Sequence, residues 1–197
     1  MRAERQEIRN LLGELTPAQW SATSLCDGWT VRDLGAHLVG WDDLVIYRSR
    51  RGHALALAKF VVLYGSSLAS MTLMNRRIQR RTRHLTPEAI GREFGREDSD
   101  DLKWLFDGTN PGAHLAEYLV HRRDICWPLG LACTSPLDRV VAGLEGLVQL
   151  PGVRILGRRL LRRGRYEASD VAWASGKGVT RPMPAETILM RLAGRST

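Results

Sequence analysis

Apolar residues recur along this chain at the three- and four-residue spacing of amphipathic helices. Ile8, Leu11, Leu12 and Leu15 make a first stripe, and Leu34, His37, Leu38, Trp41, Leu44 and Val45 a second, over about 31–50. Leu63, Leu68, Met71, Met74 and Ile78 predict a third helix ending near Arg83. His114, Glu117, Tyr118, His121 and Ile125 share one face of a fourth, over about 111–127. Leu137, Val140, Val141, Leu144 and Val148 mark a fifth. The starts are punctuated by capping chemistry. Thr16-Pro17-Ala18-Gln19 sets an N-cap, a proline at the first helical position and a capping-box glutamine in order. Thr30-Val31-Arg32-Asp33 repeats the logic, and Thr86-Pro87, Asn110-Pro111 and Ser135-Pro136 open further helices.

Four long helices with modest connections predict a mainly α chain built as a four-helix bundle over residues 1–149. The polar, Asp-rich stretch 98–109 reads as a surface loop. From Leu150 the character changes to a basic helix, then a short strand over Ala168 to Ala174, a Gly176-Lys177-Gly178 turn and a last helix ending at Gly194. Residues 150–197 are therefore expected to form a small C-terminal α/β appendage packed on the bundle.

Composition narrows the class. Hydrophobic residues make up 44% of the 197 positions and charged residues 25%, ordinary values for a globular protein. The longest apolar candidate, Ala54 to Met74, is broken by Lys59, Gly65 and serines, so no membrane span is expected. The N-terminus lacks the apolar core of a signal peptide, which predicts a cytoplasmic location. Cys26, Cys126 and Cys133 lack CxxC spacing and read as reduced thiols. The net charge is +8, with arginines clustered at Arg76, Arg77, Arg80, Arg81 and Arg83 and again from Arg154 to Arg165. Clusters of this kind can attract phosphates or acidic membrane surfaces, and a solvated helix face is the plainer account of them. No helix-turn-helix, RNP motif or interleaved aromatic series supports nucleic-acid recognition.

The chemistry concentrates in two helices. Glu117 and His121 are four residues apart and point the same way, so a carboxylate and an imidazole can ligate one cation from a single helix. His37 lies on the apolar stripe of another helix and points inward too. Three protein ligands with an open position is the pattern of a catalytic zinc site, whereas structural sites are closed by four. The plainer readings stay open: a hydrogen-bonded core histidine at position 37, and a chance pairing of Glu117 with His121. A buried Glu117 lacking any partner would cost several kcal/mol or take up a proton, and a cation removes that cost. His114 competes as a ligand, while His53 and His84 fall at a break and beside a cap and are expected on the surface. Asp33 is a candidate to orient His37, with capping as its simpler role, and Asp124 is either a group that orients His121 or an ordinary exposed helix acid. No GxSxG, P-loop or dinucleotide fingerprint is present. Cys26 lies beside Asp27, which does not favour a thiolate.

Three blocks carry a family resemblance. Leu15-Thr16-Pro17-Ala18-Gln19-Trp20 with Ser24-Leu25-Cys26-Asp27-Gly28-Trp29-Thr30-Val31-Arg32-Asp33-Leu34-Gly35-Ala36-His37-Leu38 resembles the N-terminal signature of the mycothiol-dependent maleylpyruvate isomerase family, a group of DinB-like metalloenzymes. Glu117-Tyr118-Leu119-Val120-His121-Arg122-Arg123-Asp124 is similar to its E-x-x-x-H-x-x-D segment. Asp170-Val171-Ala172-Trp173-Ala174-Ser175-Gly176-Lys177-Gly178 and Leu192-Ala193-Gly194-Arg195 complete it. The resemblance implies a DinB-like four-helix bundle whose metal triad falls on His37, Glu117 and His121. It implies a divalent ion, usually zinc, that engages a low-molecular-weight thiol, mycothiol where the host makes it. Coordination favours thiolate over thiol, giving a nucleophile that attacks a small electrophile. The outcome is isomerisation if the thiol leaves and S-transfer if it stays. A non-catalytic DinB-like binder of a small molecule or metal is the alternative, a basic adaptor using Arg158 to Arg165 is a third reading, and a homodimer is compatible with each. Two segments depart from the pattern: Arg181-Pro182-Met183-Pro184 replaces a Gly-Pro pair, and 48–84 is unusually basic.

Overall fold

The computed structural model describes residues 1–65, 71–96, 102–105, 108, 110–149, 161 and 164–195. Its elements fall into two compact units, Arg5–Asp107, and Met1–Glu4 together with Gly108–Thr197, the boundary lying inside the first helix. The chain is mainly α, and its larger sheet lies in the C-terminal segment.

In the unit Arg5–Asp107 the elements are α1 (Arg2–Glu14, shared with the other unit), α2 (Pro17–Ser21), α3 (Val31–Val45), β1 (Ile46–Tyr47), α4 (Arg50–Tyr64), α5 (Met71–Thr82), α6 (Pro87–Arg96) and β2 (Lys103–Trp104). Helix α3 is its centre, with α2, α4, α5 and α6 packed on it. It buries Val31, Leu34, Leu38, Leu44 and Val45, each contributing about 1.5–3 kcal/mol by leaving water. Both expected capping boxes form. Thr16 accepts from Gln19 N and Thr30 from Asp33 N, while the Gln19 and Asp33 side chains accept from the cap backbones. The approach of α5 requires Gly40: a Cβ there would lie 2.6 Å from Ile78 Cγ2 and 2.9 Å from Thr82 Cγ2. Arg5 is buried because Asp42 accepts from its Nε at 2.8 Å and the Phe94 carbonyl from its Nη2 at 2.6 Å, with the guanidinium over the Phe94 ring.

Three local expectations change here. The single helix expected to end near Arg83 is two, α4 and α5; Leu68 and residues 66–70 lie outside the described residues. Helix α4 also starts earlier than its apolar spacing suggests, because Ser49 accepts from Gly52 N at 3.0 Å and caps it. His53, expected at a break, is thus helical, and it is exposed as His84 is. Part of the expected loop 98–109 is strand β2, antiparallel to β1, with Leu102, Trp104 and Leu105 buried. Residues 98–101 of that stretch are not described.

The second unit contains α7 (Pro111–Cys126), α8 (Leu137–Gln149), β3 (Arg165–Ala168), β4 (Ala174–Gly176), β5 (Thr180–Met183) and α9 (Ala185–Leu192). Helices α7 and α8 cross in backbone contact at Gly112 and Gly146, where a Cβ on either glycine would fall inside the other's backbone. The sheet order is β4-β3-β5, with β3 antiparallel to β4 and parallel to β5. The strand expected over 168–174 is therefore mostly the connection between β3 and β4, with positive φ at Gly176, the last residue of β4, and at Gly178 in the turn that follows. Pro182 is accommodated because β5 is an edge strand. The basic helix expected after Leu150 falls, apart from helical Leu161 and from Arg165 in β3, outside the described residues.

Helix α7 is buried around almost its whole circumference, including Arg122, Arg123 and Asp124. Partners offset those charges. Glu4, fully buried, accepts from Arg122 at 2.7 Å and from Ser135 at 3.0 Å, and Arg123 is bound by Glu186 and the Leu119 carbonyl. Helix α9 packs on α8, α7 and β3.

Candidate functional site

Helix α7 brings Glu117 and His121 together, as their four-residue spacing requires. Glu117 Oε1 lies 3.1 Å from His121 Nε2. On its other side the imidazole meets Asp124, whose Oδ2 is 2.9 Å from Nδ1. Asp124 is fully buried and accepts twice more from Arg195, Nε to Oδ1 at 2.8 Å and Nη2 to Oδ2 at 2.6 Å. Four residues thus form one chain, Glu117–His121–Asp124–Arg195.

The protonation pattern follows from this geometry. Burial pushes the Asp124 carboxyl up, but hydrogen bonds from His121 and Arg195, and their charges, outweigh it and hold the group at about 2. Asp124 is therefore a permanent acceptor, so His121 Nδ1 carries a proton. In the neutral imidazole, Nε2 then presents a lone pair toward a carboxylate oxygen. Two acceptors aimed at one space are satisfied by protonating the ring or by a shared cation. Their 3.1 Å separation suits two donors each roughly 2.0–2.2 Å from one divalent ion. A histidine whose second nitrogen is tied to a carboxylate is also the usual arrangement around a metal. The residues present on α7 fit the group.

Arg195 reaches Asp124 because of how α9 ends. Gly194 takes φ 85°, Gly194 N donates to the Arg191 carbonyl at 3.0 Å, and Arg195 N donates to Met190 at 2.9 Å. This is a Schellman ending, which requires a residue without a Cβ penalty at the left-handed position and turns the chain after it. The only sequence signal for Arg195 was its place in the Leu192-Ala193-Gly194-Arg195 block, which assigns it no role.

His37 sits on α3, fully buried, its ring 5.2 Å from that of Trp29 and tilted 55° to it. Asp33, one turn earlier, is occupied with the Thr30 cap at 2.8 and 3.0 Å and with Arg32 at 3.0 Å. Its carboxyl is raised by burial, yet the Thr30 hydrogen bonds and Arg32 bring it below the ordinary value. His114 is buried one turn before Glu117. All three cysteines are free thiols. Cys126 donates to Cys133 and is buried, which pushes its thiol up, away from nucleophilic use.

A family model described as the mycothiol maleylpyruvate isomerase N-terminal domain matches residues 1–126, a span from α1 through α7. No curated protein and no solved structure gives a match.

Proposed function

The chain belongs to the mycothiol maleylpyruvate isomerase N-terminal-domain family, and from that premise we propose a metal-dependent enzyme that uses a low-molecular-weight thiol, of the mycothiol type, to transfer it to or isomerise a small electrophile. The metal ligands in this reading are His37, Glu117 and His121, and the ion is a divalent one, zinc by the family resemblance. The observation that carries it is the pairing of His121 Nε2 with Glu117 Oε1 while Nδ1 is committed to Asp124.

When bound, the cation stabilises thiolate over thiol and so supplies a nucleophile near neutral pH. The chain's own groups do the rest. Asp124 holds the proton on His121 Nδ1 and so keeps Nε2 as a ligand. Arg195 fixes Asp124, and its charge keeps that carboxylate ionised. Glu117 contributes negative charge from a half-buried position, which favours a cation over a neutral guest. His37, third by family resemblance, is buried on α3 with its ring against that of Trp29. The cytoplasm, as the reducing compartment in which such thiols persist, is the location this reading implies.

Incubating zinc-loaded protein with mycothiol and a panel of small electrophiles tests the reading. Mycothiol-dependent consumption of an electrophile is expected, with loss of thiol marking S-transfer and its conservation marking isomerisation. A protein that binds metal yet yields neither adduct nor isomer across the panel would be a binder, and the enzymatic reading would fall.

A further inference from the structure

Helix α4 is apolar on the side where a surface helix is normally polar. Ala56 and Phe60 face inward and are buried, as its packing on α3 requires. The opposite side carries Leu55, 71% exposed, Val61, 55%, and Val62, 79%, with exposed Ala54 and Ala58 adding no polar group. A helix apolar all round is one whose second face is covered in use. Leu73, on α5, is exposed as well.

Charge identifies the cover. Between Leu44 and Pro87 the sequence has nine arginines or lysines and no aspartate or glutamate. Arg48, Arg50 and Arg51 lie exposed at the N-terminal end of α4. Lys59 is paired with Asp43, but a second copy docked on this face would still set the arginines at the start of α4 against their own copies, so self-association opposes its own field. Nucleic acid matches the charge but not the aliphatic face, since its contacts are phosphates and stacking rings. An apolar stripe flanked by arginines fits a surface that is anionic at its boundary and apolar beneath. We propose that α4, with the arginines at its N-terminal end, is a docking surface for an anionic lipid bilayer, into which Leu55, Val61 and Val62 insert at the headgroup boundary. No helix among the described residues is long and apolar enough to cross a membrane, so the attachment is peripheral.

Sedimentation of the full chain with vesicles tests this. The protein is expected to bind phosphatidylcholine vesicles containing phosphatidylglycerol and to ignore pure phosphatidylcholine, with binding that weakens as salt rises. The double variant Leu55→Ser, Val62→Ser should weaken binding by at least about tenfold, the aliphatic contribution of one or two buried side chains. Each of Arg48→Gln, Arg50→Gln and Arg51→Gln should weaken it on the order of fivefold. Both side chains in the double variant are exposed, so its melting midpoint and metal content should match the parent. Failure of the parent to bind anionic vesicles at low salt overturns the proposal. So does equal vesicle binding by the Leu55→Ser, Val62→Ser variant, or a dimer of the parent that this variant abolishes. Retained binding to a DNA duplex with no vesicle binding overturns it in favour of nucleic acid.

Discussion

Replacing Asp124 with asparagine removes one charge while keeping the shape of the side chain. The structure leaves the new amide no comfortable orientation. Oδ1 accepts from Arg195 Nε, and Oδ2 accepts from both His121 Nδ1 and Arg195 Nη2. Whichever way the amide turns, its NH2 faces a donor. Breaking a buried ion pair from one side costs about 3–5 kcal/mol. Arg195 is one-fifth exposed and can recover some hydration, so the lower end, about 3 kcal/mol, applies. For a chain of this size that lowers the melting midpoint by roughly 6–12 °C. The functional effect is separate. With Nδ1 no longer tied to a carboxylate, the ring loses both orientation and basicity, and zinc affinity should fall about 10- to 100-fold. Chelator competition below the variant's unfolding range reads the affinity, and calorimetry reads the midpoint. A lowered midpoint with unchanged zinc affinity would refute the argument that Asp124 orients a ligand, leaving it a structural ion pair. An unchanged midpoint would refute the buried-pair account itself.

Gly146→Ala should be among the most damaging small substitutions in the chain, because the added Cβ meets the Gly112 and Ala113 backbone, which cannot yield as a side chain would. A loss of about 3 kcal/mol or more, or failure to fold, is expected in thermal unfolding, whereas Gly13→Ala, with open space around it, should be neutral or slightly stabilising. Asp33→Asn should cost about 1 kcal/mol at neutral pH through the α3 capping box. The Asp33 carboxyl is lowered in the folded protein, so its contribution is present above the ordinary carboxylate value and fades as pH falls below about 4. Parent and variant melting midpoints should therefore converge in acid; a gap constant from neutral pH to pH 3 would contradict that.

Local signals explain what the sequence revealed. A cap is settled within four residues, so Thr16, Thr30 and Asn110 marked helix starts that the structure contains. The start of α4 escaped because Ser49 has neither a following proline nor a capping-box acid or amide at Gly52, and the apolar stripe begins later. Strand β2 has two residues, too few to display any period, and its partner β1 lies far earlier in the chain. In α7 the one-sided stripe understated burial, since it leaves out Arg122, Arg123 and Asp124, which are buried with their partners. Those partners, Glu4, Glu186 and Arg195, are distant in sequence, and nothing local announces them. Glu117 and His121 were legible because helical spacing alone makes them neighbours. Arg195 was not, being 71 residues from Asp124 and placed by the left-handed turn at Gly194.

The central claim is that His37, Glu117 and His121 hold a divalent metal. Metal content of protein purified without chelator, compared between the parent and the His37→Ala, His121→Ala double variant, tests it most directly. The account predicts stoichiometric divalent metal in the parent and almost none in a double variant that remains folded. Full occupancy in that variant, or a parent that takes up no metal even when supplied with zinc, would contradict it.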